Sequence, residues 1–351
     1  MENESFLEKV FKLRENNTDV KTEIIAGFTT FMTMAYIIFV NPSILSDAGM
    51  PFNGVFIATI AGAILGTLCM AFFTNYPFAL ASGMGLNAFF AYSVVLNMGV
   101  SWQAALGVIF IEGIIFIILS VTPIRKMIVN SIPMALKTGI SSGIGLFIAF
   151  IGLQNANIAA NSESTLVQIG NPLSGVSLVA LVGLIIIGIL HALKIKGALL
   201  WGILAATVFG WTNGVTPAFN GFFAMPSMAD WSEVFFQLDI KAAFDAGLIG
   251  ILLSFLFVDM FDTAGTLVGV SQQAGYLDEN GDLPKANRAL LADAIGTTAG
   301  ALFGTTTVTT YVESSSGVAE GGRTGLTGVV AAVLFFLALF FKPLVGVVPG
   351  A

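Results

Sequence analysis

Thr305-Thr306-Thr307-Val308-Thr309-Thr310-Tyr311-Val312-Glu313-Ser314-Ser315-Ser316-Gly317 interrupts a long apolar region of the chain. The threonines alternate with Val308 and favour a strand. The serines and glycine after them suit an unwound chain leading into a half-helix. An earlier stretch, Ala81-Ser82-Gly83-Met84-Gly85-Leu86-Asn87-Ala88, resembles Ser315-Ser316-Gly317-Val318-Ala319-Glu320-Gly321-Gly322 and interrupts the first half at the matching place. Paired small-residue interruptions of this kind point to the central site of a membrane protein built from two related halves.

The surroundings of these segments are membrane-like. Of 351 residues, 56% are hydrophobic and only 10% are charged, and the mean hydropathy is +0.90. A soluble domain carries about 25% charged residues, so this chain lacks the charge to cover a wet surface. Apolar runs near 22–41, 54–73, 79–98, 103–123, 132–152, 175–192, 197–213, 245–270, 286–303, 305–322 and 325–345 predict eleven spans. Each is close to the roughly 20 residues that cross a bilayer, and most must be helices because lipid cannot satisfy an open sheet edge. Phe6, Leu7, Val10 and Phe11, and again Trp231, Phe235 and Leu238, recur at helical spacing among polar residues and predict helices lying in the interface.

The same totals exclude several classes. A single cysteine, Cys69, allows no internal disulfide, and a single histidine, His191, removes multi-histidine metal sites and histidine-based triads. A formal charge of −7 argues against nucleic acid. Residues 1–21 are too charged for a signal peptide.

Of 14 lysines and arginines, all but Lys241 and Lys342 fall on one side if the N-terminus is inside the cell. The positive-inside rule therefore sets a cytoplasmic N-terminus. Seven spans then precede an outer segment at 214–244, and an odd number means that the second set enters inverted. Only four spans follow, and the ending Val347-Val348-Pro349-Gly350-Ala351 is neither a tail nor a finished helix. Three further helices are expected to be missing.

Two carboxylates in one apolar run, Asp259 and Asp262, each cost about 2.5–3.5 kcal/mol on insertion scales. Thr266 lies four residues after Asp262, and Asp259 three before it, so all three share a face. No basic residue falls in any span core, so a buried ion pair does not explain the acids. Asp259 is also readable as a lining or capping group. Glu313 sits where the chain changes conformation, as either a functional acid or a helix cap. Asn87 offers donor and acceptor to a ligand edge or to a neighbouring helix. Gly62/Gly66 and Gly296/Gly300/Gly304 predict close helix packing, Gly265/Gly269 close backbone approach, and Glu320 with Arg323 a local ion pair. Asp293 is a structural or secondary polar contact.

Two acids and an amide without a buried base disfavour an anion. A neutral heterocycle with several N–H donors fits better. Desolvation favours the neutral form of a carboxyl group, which suits one acid to carry a proton with the substrate, although sodium fits the same arithmetic.

At these motifs the chain resembles the nucleobase–ascorbate superfamily, in its guanine/hypoxanthine/adenine (AzgA-like) branch. The pieces that carry the likeness are Phe261-Asp262-Thr263-Ala264-Gly265-Thr266-Leu267, Thr310-Tyr311-Val312-Glu313-Ser314, Gly321-Gly322-Arg323-Thr324-Gly325-Leu326-Thr327 and Gly83-Met84-Gly85-Leu86-Asn87-Ala88. The resemblance implies an all-α polytopic transporter of two inverted sevens, with core and gate domains and short strands in spans three and ten. It implies a core in 22–130 and 245–345, a gate in 131–244, a cytoplasmic amphipathic segment in 1–21 and the start of span twelve in 346–351. It places Asp262, Glu313, Asn87, Thr266 and Ser314 at a purine base, with Asp262, Glu313 and Asp259 handling the proton. No cofactor is implied; a homodimer through the gate and residence in the plasma or inner membrane are. The expected activity is import of guanine or hypoxanthine, and by extension adenine, by proton symport with an elevator-type movement. The rivals are a sodium-coupled or uncoupled carrier of another neutral heterocycle, an anion exchanger of similar fold, a passive channel and an intramembrane aspartyl enzyme. That last reading is disfavoured because Asp259 and Asp262 share one helix instead of facing each other.

Overall fold

The computed structural model describes residues 6–122, 134–162, 164–216, 221–244, 248–279 and 282–348. Arg125 and Lys126 of the charge argument, and Pro349-Gly350-Ala351 of the chain's ending, lie outside them. The first half runs α1 (Phe6–Phe11), α2 (Val20–Met34), α3 (Ile37–Asp47), α4 (Phe52–Thr74), β1 (Leu80–Ser82) and α5 (Met84–Ala88). A π-helix (Phe89–Asn97) continues α5, and α6 (Trp102–Ser120) follows. Next come α7 (Met134–Asn155), a hairpin of β2 (Ala159–Ser162) and β3 (Leu166–Ile169), α8 (Gly175–Ala192) and α9 (Ala198–Thr212). Short helices α10 (Met228–Ser232) and α11 (Ile240–Ala243) lead to α12 (Ile249–Ala274), α13 (Ala286–Phe303), β4 (Val308–Thr310), α14 (Ser314–Ala319), α15 (Gly325–Ala338) and α16 (Lys342–Val345). Val20–Asp47, Phe52–Thr74, Trp102–Ser120, Gly175–Ala192, Ile249–Ala274 and Gly325–Val345 are long and apolar enough to cross a bilayer.

The elements follow the predicted spans with three differences. The first span is not one helix: it tightens at Ala35 and Tyr36, where Ile38 N bonds Ala35 O and Phe39 N bonds Tyr36 O in three-residue steps. Pro42, inside α3, has no N–H to offer the Ile38 carbonyl. The predicted interfacial helix at Trp231–Leu238 covers only Met228–Ser232. Trp231 turns inward instead, and its indole N–H donates to Phe303 O at 3.0 Å. The β2–β3 hairpin was not expected from the apolar pattern.

Strands β1 and β4 pair antiparallel, with Leu80 opposite Thr310, Ala81 opposite Thr309 and Ser82 opposite Val308. Backbone at the depth of a membrane needs every polar group satisfied, and the two halves do this in parallel ways. Thr67 Oγ1 of α4 accepts from Leu80 N at 2.9 Å and donates to Leu80 O at 3.1 Å. Thr297 Oγ1 of α13 does the same for the first residue of β4, with 3.2 Å to both N and O of Val308. Beyond the strands, Tyr311 N donates to Ala79 O and Gly83 N to Thr307 O, each at 3.0 Å.

Helices α4 and α13 pack along one another, and the predicted glycine pairs lie in that contact. A Cβ on Gly296 would stand 3.4 Å from Gly66 Cα. The slot left by these glycines takes the Val308 side chain: a Cβ on Gly66 or Gly300 would lie 2.9 Å from one of its methyls. Both helices end in a left-handed residue, Asn75 (φ 59) and Gly304 (φ 93), that turns the chain towards its strand. Gly265 and Gly269 do not act as predicted: they lie on the exposed face of α12, with no described residue within 4 Å of an added Cβ.

A further bond set ties the halves together at one end. The buried Glu23 of α2 accepts from Arg323 N (2.8 Å), Thr324 N (3.3 Å), Thr327 N (3.1 Å) and Thr327 Oγ1 (2.6 Å). It thus supplies the carboxylate that the first turn of α15 needs. Arg323 is not paired with Glu320, contrary to expectation. Its guanidinium donates to Val318 O at 2.8 Å and Gly322 O at 2.7 Å, while Glu320 meets Lys196 from the α8–α9 turn.

Candidate functional site

Asp262 and Glu313 come from different halves and converge beside the strand pair. Asp262 lies midway along α12, partly buried, and among the described residues it has no hydrogen-bond partner. Helix α12 packs against α14, the short helix that Glu313 precedes. Thr266 follows one turn after Asp262 and is also partly buried.

Glu313 precedes α14 but does not cap it with its side chain. Its carboxylate accepts instead from Tyr36 Oη at 2.6 Å, at the break between α2 and α3. The break therefore has a use: a continuous helix would carry the phenol elsewhere. Tyr311 donates to Ser82 O at 2.5 Å, so both aromatic hydroxyls on this side are taken. Glu313 keeps one oxygen for another donor, and Asp262 keeps two.

Asn87 and Ser314 have partners already. Asn87 is fully buried; its Nδ2 donates to Asn41 Oδ1 at 2.6 Å, and its Oδ1 accepts from Thr306 Oγ1. Asn41 in turn donates to Thr59 Oγ1 at 2.7 Å and Thr305 Oγ1 at 2.9 Å, and Thr305 Oγ1 meets Ser82 Oγ at 2.8 Å. This chain of amides and hydroxyls locks α3, α4, α5 and the threonine run together. Ser314 Oγ accepts from Ala79 N at 3.0 Å, which fixes the chain entering β1. The aromatics after Asn87 pack: Phe89 meets Phe255 edge-on at 5.1 Å, and Phe90 is buried. Tyr92 Oη donates to Asp47 Oδ2 at 2.7 Å and accepts from Asn155 Nδ2 at 3.1 Å.

Asp259 points away from Asp262, towards α13. It is fully buried, and its Oδ2 shares the single Thr297 hydroxyl proton with Val308 O, each at 3.2 Å. Asp293 is more than a secondary contact. Its Oδ1 accepts from Thr310 N at 2.9 Å and Thr310 Oγ1 at 3.0 Å, and its Oδ2 from Thr263 Oγ1 at 3.0 Å, so it clamps β4 to α12. Sequence reasoning passed over two residues here. Tyr36 carried no signal in an apolar run, but Glu112, alone in Ile109-Phe110-Ile111-Glu112-Gly113-Ile114, carried the same warrant as Asp262.

The helical membrane fold with a strand pair from two distant segments can be compared with known proteins. Residues 21–351 match the Xan_ur_permease model, a permease family, and the chain belongs to that family. It is 46% identical over 347 residues to the adenine permease AdeP of Escherichia coli (strain K12), covering 99% of this chain and 77% of that one. It is 47% identical over 350 residues to the guanine/hypoxanthine permease PbuO of Bacillus subtilis (strain 168), covering 97% and 79%. The transmembrane domain of the cyanobacterial bicarbonate transporter BicA shares the fold, with a TM-score of 0.66, 17% identity and coverage of 94% and 85%. The chain is thus a multi-pass membrane permease and not an enzyme.

Proposed function

We propose that the chain imports a purine nucleobase, guanine or hypoxanthine and by extension adenine, together with a proton. The observation that carries this is the pair Asp262 and Glu313, which leaves three carboxylate oxygens for N–H donors, with no cation bonded to either acid among the described residues. A purine offers ring N–H groups to both acids. Charge-assisted bonds of that kind are worth about 1.5–3 kcal/mol each. An anionic cargo would be repelled, which separates this site from the bicarbonate transporter that shares its fold. The named activities of AdeP and PbuO support the purine class.

Thr266 extends the site along α12, and the main chain near Ser314 faces the base edge. Asn87 acts through the strand pair it anchors. The reading includes a cytoplasmic N-terminus in the plasma or inner membrane, two inverted repeats, and a core (22–130 and 245–345) that moves against a gate (131–244) in elevator fashion. Lys285 and Arg323 fit that orientation: Lys285 Nζ bonds Thr74 O at 2.6 Å, and Arg323 sits on α14's last carbonyls, at the same end as Lys196. The test is uptake of labelled hypoxanthine in cells lacking purine transport, with and without an uncoupler. Uncoupler-sensitive accumulation that guanine blocks and uracil does not is the expected result. Asp262→Asn should reduce uptake to background while the protein still reaches the membrane; normal uptake by that variant would sink the assignment.

A further inference from the structure

Behind the strand pair lies a third buried acid that the substrate reading does not use. Glu112 sits midway along α6, fully buried, and neither of its carboxyl oxygens has a hydrogen-bond partner among the described residues. Helix α6 packs against α13, which carries Asp293, and α12, which carries Asp259; at the neighbouring Gly113 a Cβ would meet Thr298 of α13, the residue after the Thr297 that bonds Asp259. Asp259 Oδ1, equally buried, is also without a partner.

Other charged groups on the packed elements are few. Asp262 is the fourth acid in reach, from α12. Lys285 and Arg288 lie at the far start of α13, and Asp239 and Lys241 at the outer end of α6, where Asp239 N bonds Gln103 O. On the π-helix, Tyr92 is turned to Asp47. Glu313 is held by Tyr36. Among the described residues, no cation therefore enters the cluster.

Three carboxylates in such a place cannot all be ionised. Each buried charge costs several kcal/mol to desolvate, and like charges add to that cost. Asp293 accepts three hydrogen bonds, so it is the group best fitted to stay anionic. Glu112 accepts none, so it is the group best fitted to be neutral. The described side chains also do not converge tightly enough to hold a metal ion. A proton is the ligand that satisfies this arrangement.

We propose that Glu112, Asp259 and Asp293 form a second proton-binding site, separate from the substrate site, in which Glu112 holds the proton. Asp259 stands three residues before Asp262 on the same helix, a separation of one turn. It therefore links the two sites. A proton gained or lost at Asp262 changes the like charge that the buried cluster meets, so the occupancy of the two sites is coupled by repulsion without direct transfer between Asp262 and Asp259. The role in transport rests on the proton-symport reading; proton occupancy of Glu112 does not.

Two measurements test it. Infrared spectroscopy of the full chain in lipid should show the carbonyl stretch of a buried protonated carboxyl group at neutral pH, and Glu112→Gln should lose that band. A band unchanged in Glu112→Gln would overturn the proposal. Should that variant not insert, Glu112→Asp decides, since it should shift the band and an unshifted band refutes. In uptake, Glu112→Gln should keep nucleobase counterflow but lose uncoupler-sensitive accumulation. Accumulation identical to the parent chain would remove the site from coupling. A parent that itself accumulates nucleobase without proton dependence would instead refute the symport reading, leaving the infrared result to judge Glu112.

Discussion

Replacing Gly66 by alanine should damage the site from a distance. The new Cβ would stand 2.9 Å from Val308 Cγ1 and 3.2 Å from Leu80 Cβ. Carbon atoms pack at about 3.5–4.0 Å, so β4 or α4 must shift by several tenths of an ångström. Overpacking of this kind costs about 1–3 kcal/mol. Because Glu313 follows β4 closely, the shift reaches the acids, and uptake should fall further than stability alone explains. Val308→Ala removes the clashing methyls; alone it forfeits two buried groups, about 1.6 kcal/mol at ~0.8 each, with a cavity term added. Combined with Gly66→Ala, the two changes should compensate, giving a coupling of about 1–2 kcal/mol between neighbours. The assay is thermal unfolding of the four proteins in detergent by fluorescence-detected size exclusion, beside hypoxanthine uptake. Strictly additive losses would refute the reasoning, because they would mean that Gly66 and Val308 do not share one slot.

Two other substitutions separate structural from mobile contacts. Glu23→Ala strips the acceptor from four donors at the start of α15. It should destabilise by at least about 3 kcal/mol, the loss of only two charge-assisted bonds at ~1.5 each, with Glu23→Gln recovering part; thermal unfolding measures it, and a loss under half a kilocalorie would refute the anchor. Glu320→Lys faces Lys196 with a like charge, but both side chains are solvated, at 24% and 54% exposure. Exposed pairs contribute about 0–1 kcal/mol, so melting should barely move while uptake rate changes if the α8–α9 turn slides past α14; a large stability loss would show a fixed contact.

Much of the architecture could be read in advance because two physical demands are strong. Lipid forces apolar runs of fixed length, so span edges such as 286–303 and 175–192 coincide with helices. The threonine run announced β4 because no helix of that composition is stable. What could not be read was where side chains point. Asp259 and Asp262 share a helical face in projection, yet one bonds α13 and the other opens towards Glu313. Asn87 was equally able to face a ligand or a helix, and only the positions of Asn41 and Thr306 decide between them. The break at Tyr36 and the pairing of Glu320 with Lys196 depend on partners hundreds or scores of residues away, which local patterns do not encode.

The β1–β4 pair also bears on how the protein is made. Ala79 and Ser314, which bond across it, are 235 residues apart in the chain. At synthesis rates of about 5–20 residues per second, roughly 10–50 s pass between the emergence of one and the other. During that interval the first strand sits at bilayer depth with ladder donors and acceptors that lack their partner, a state lipid penalises heavily. Thr67, already bonding both backbone groups of Leu80 from the same half, satisfies the opposite edge of β1 and leaves open the one that awaits β4. The nascent first half is therefore a natural client for whatever in the membrane shields exposed polar backbone until the second half arrives.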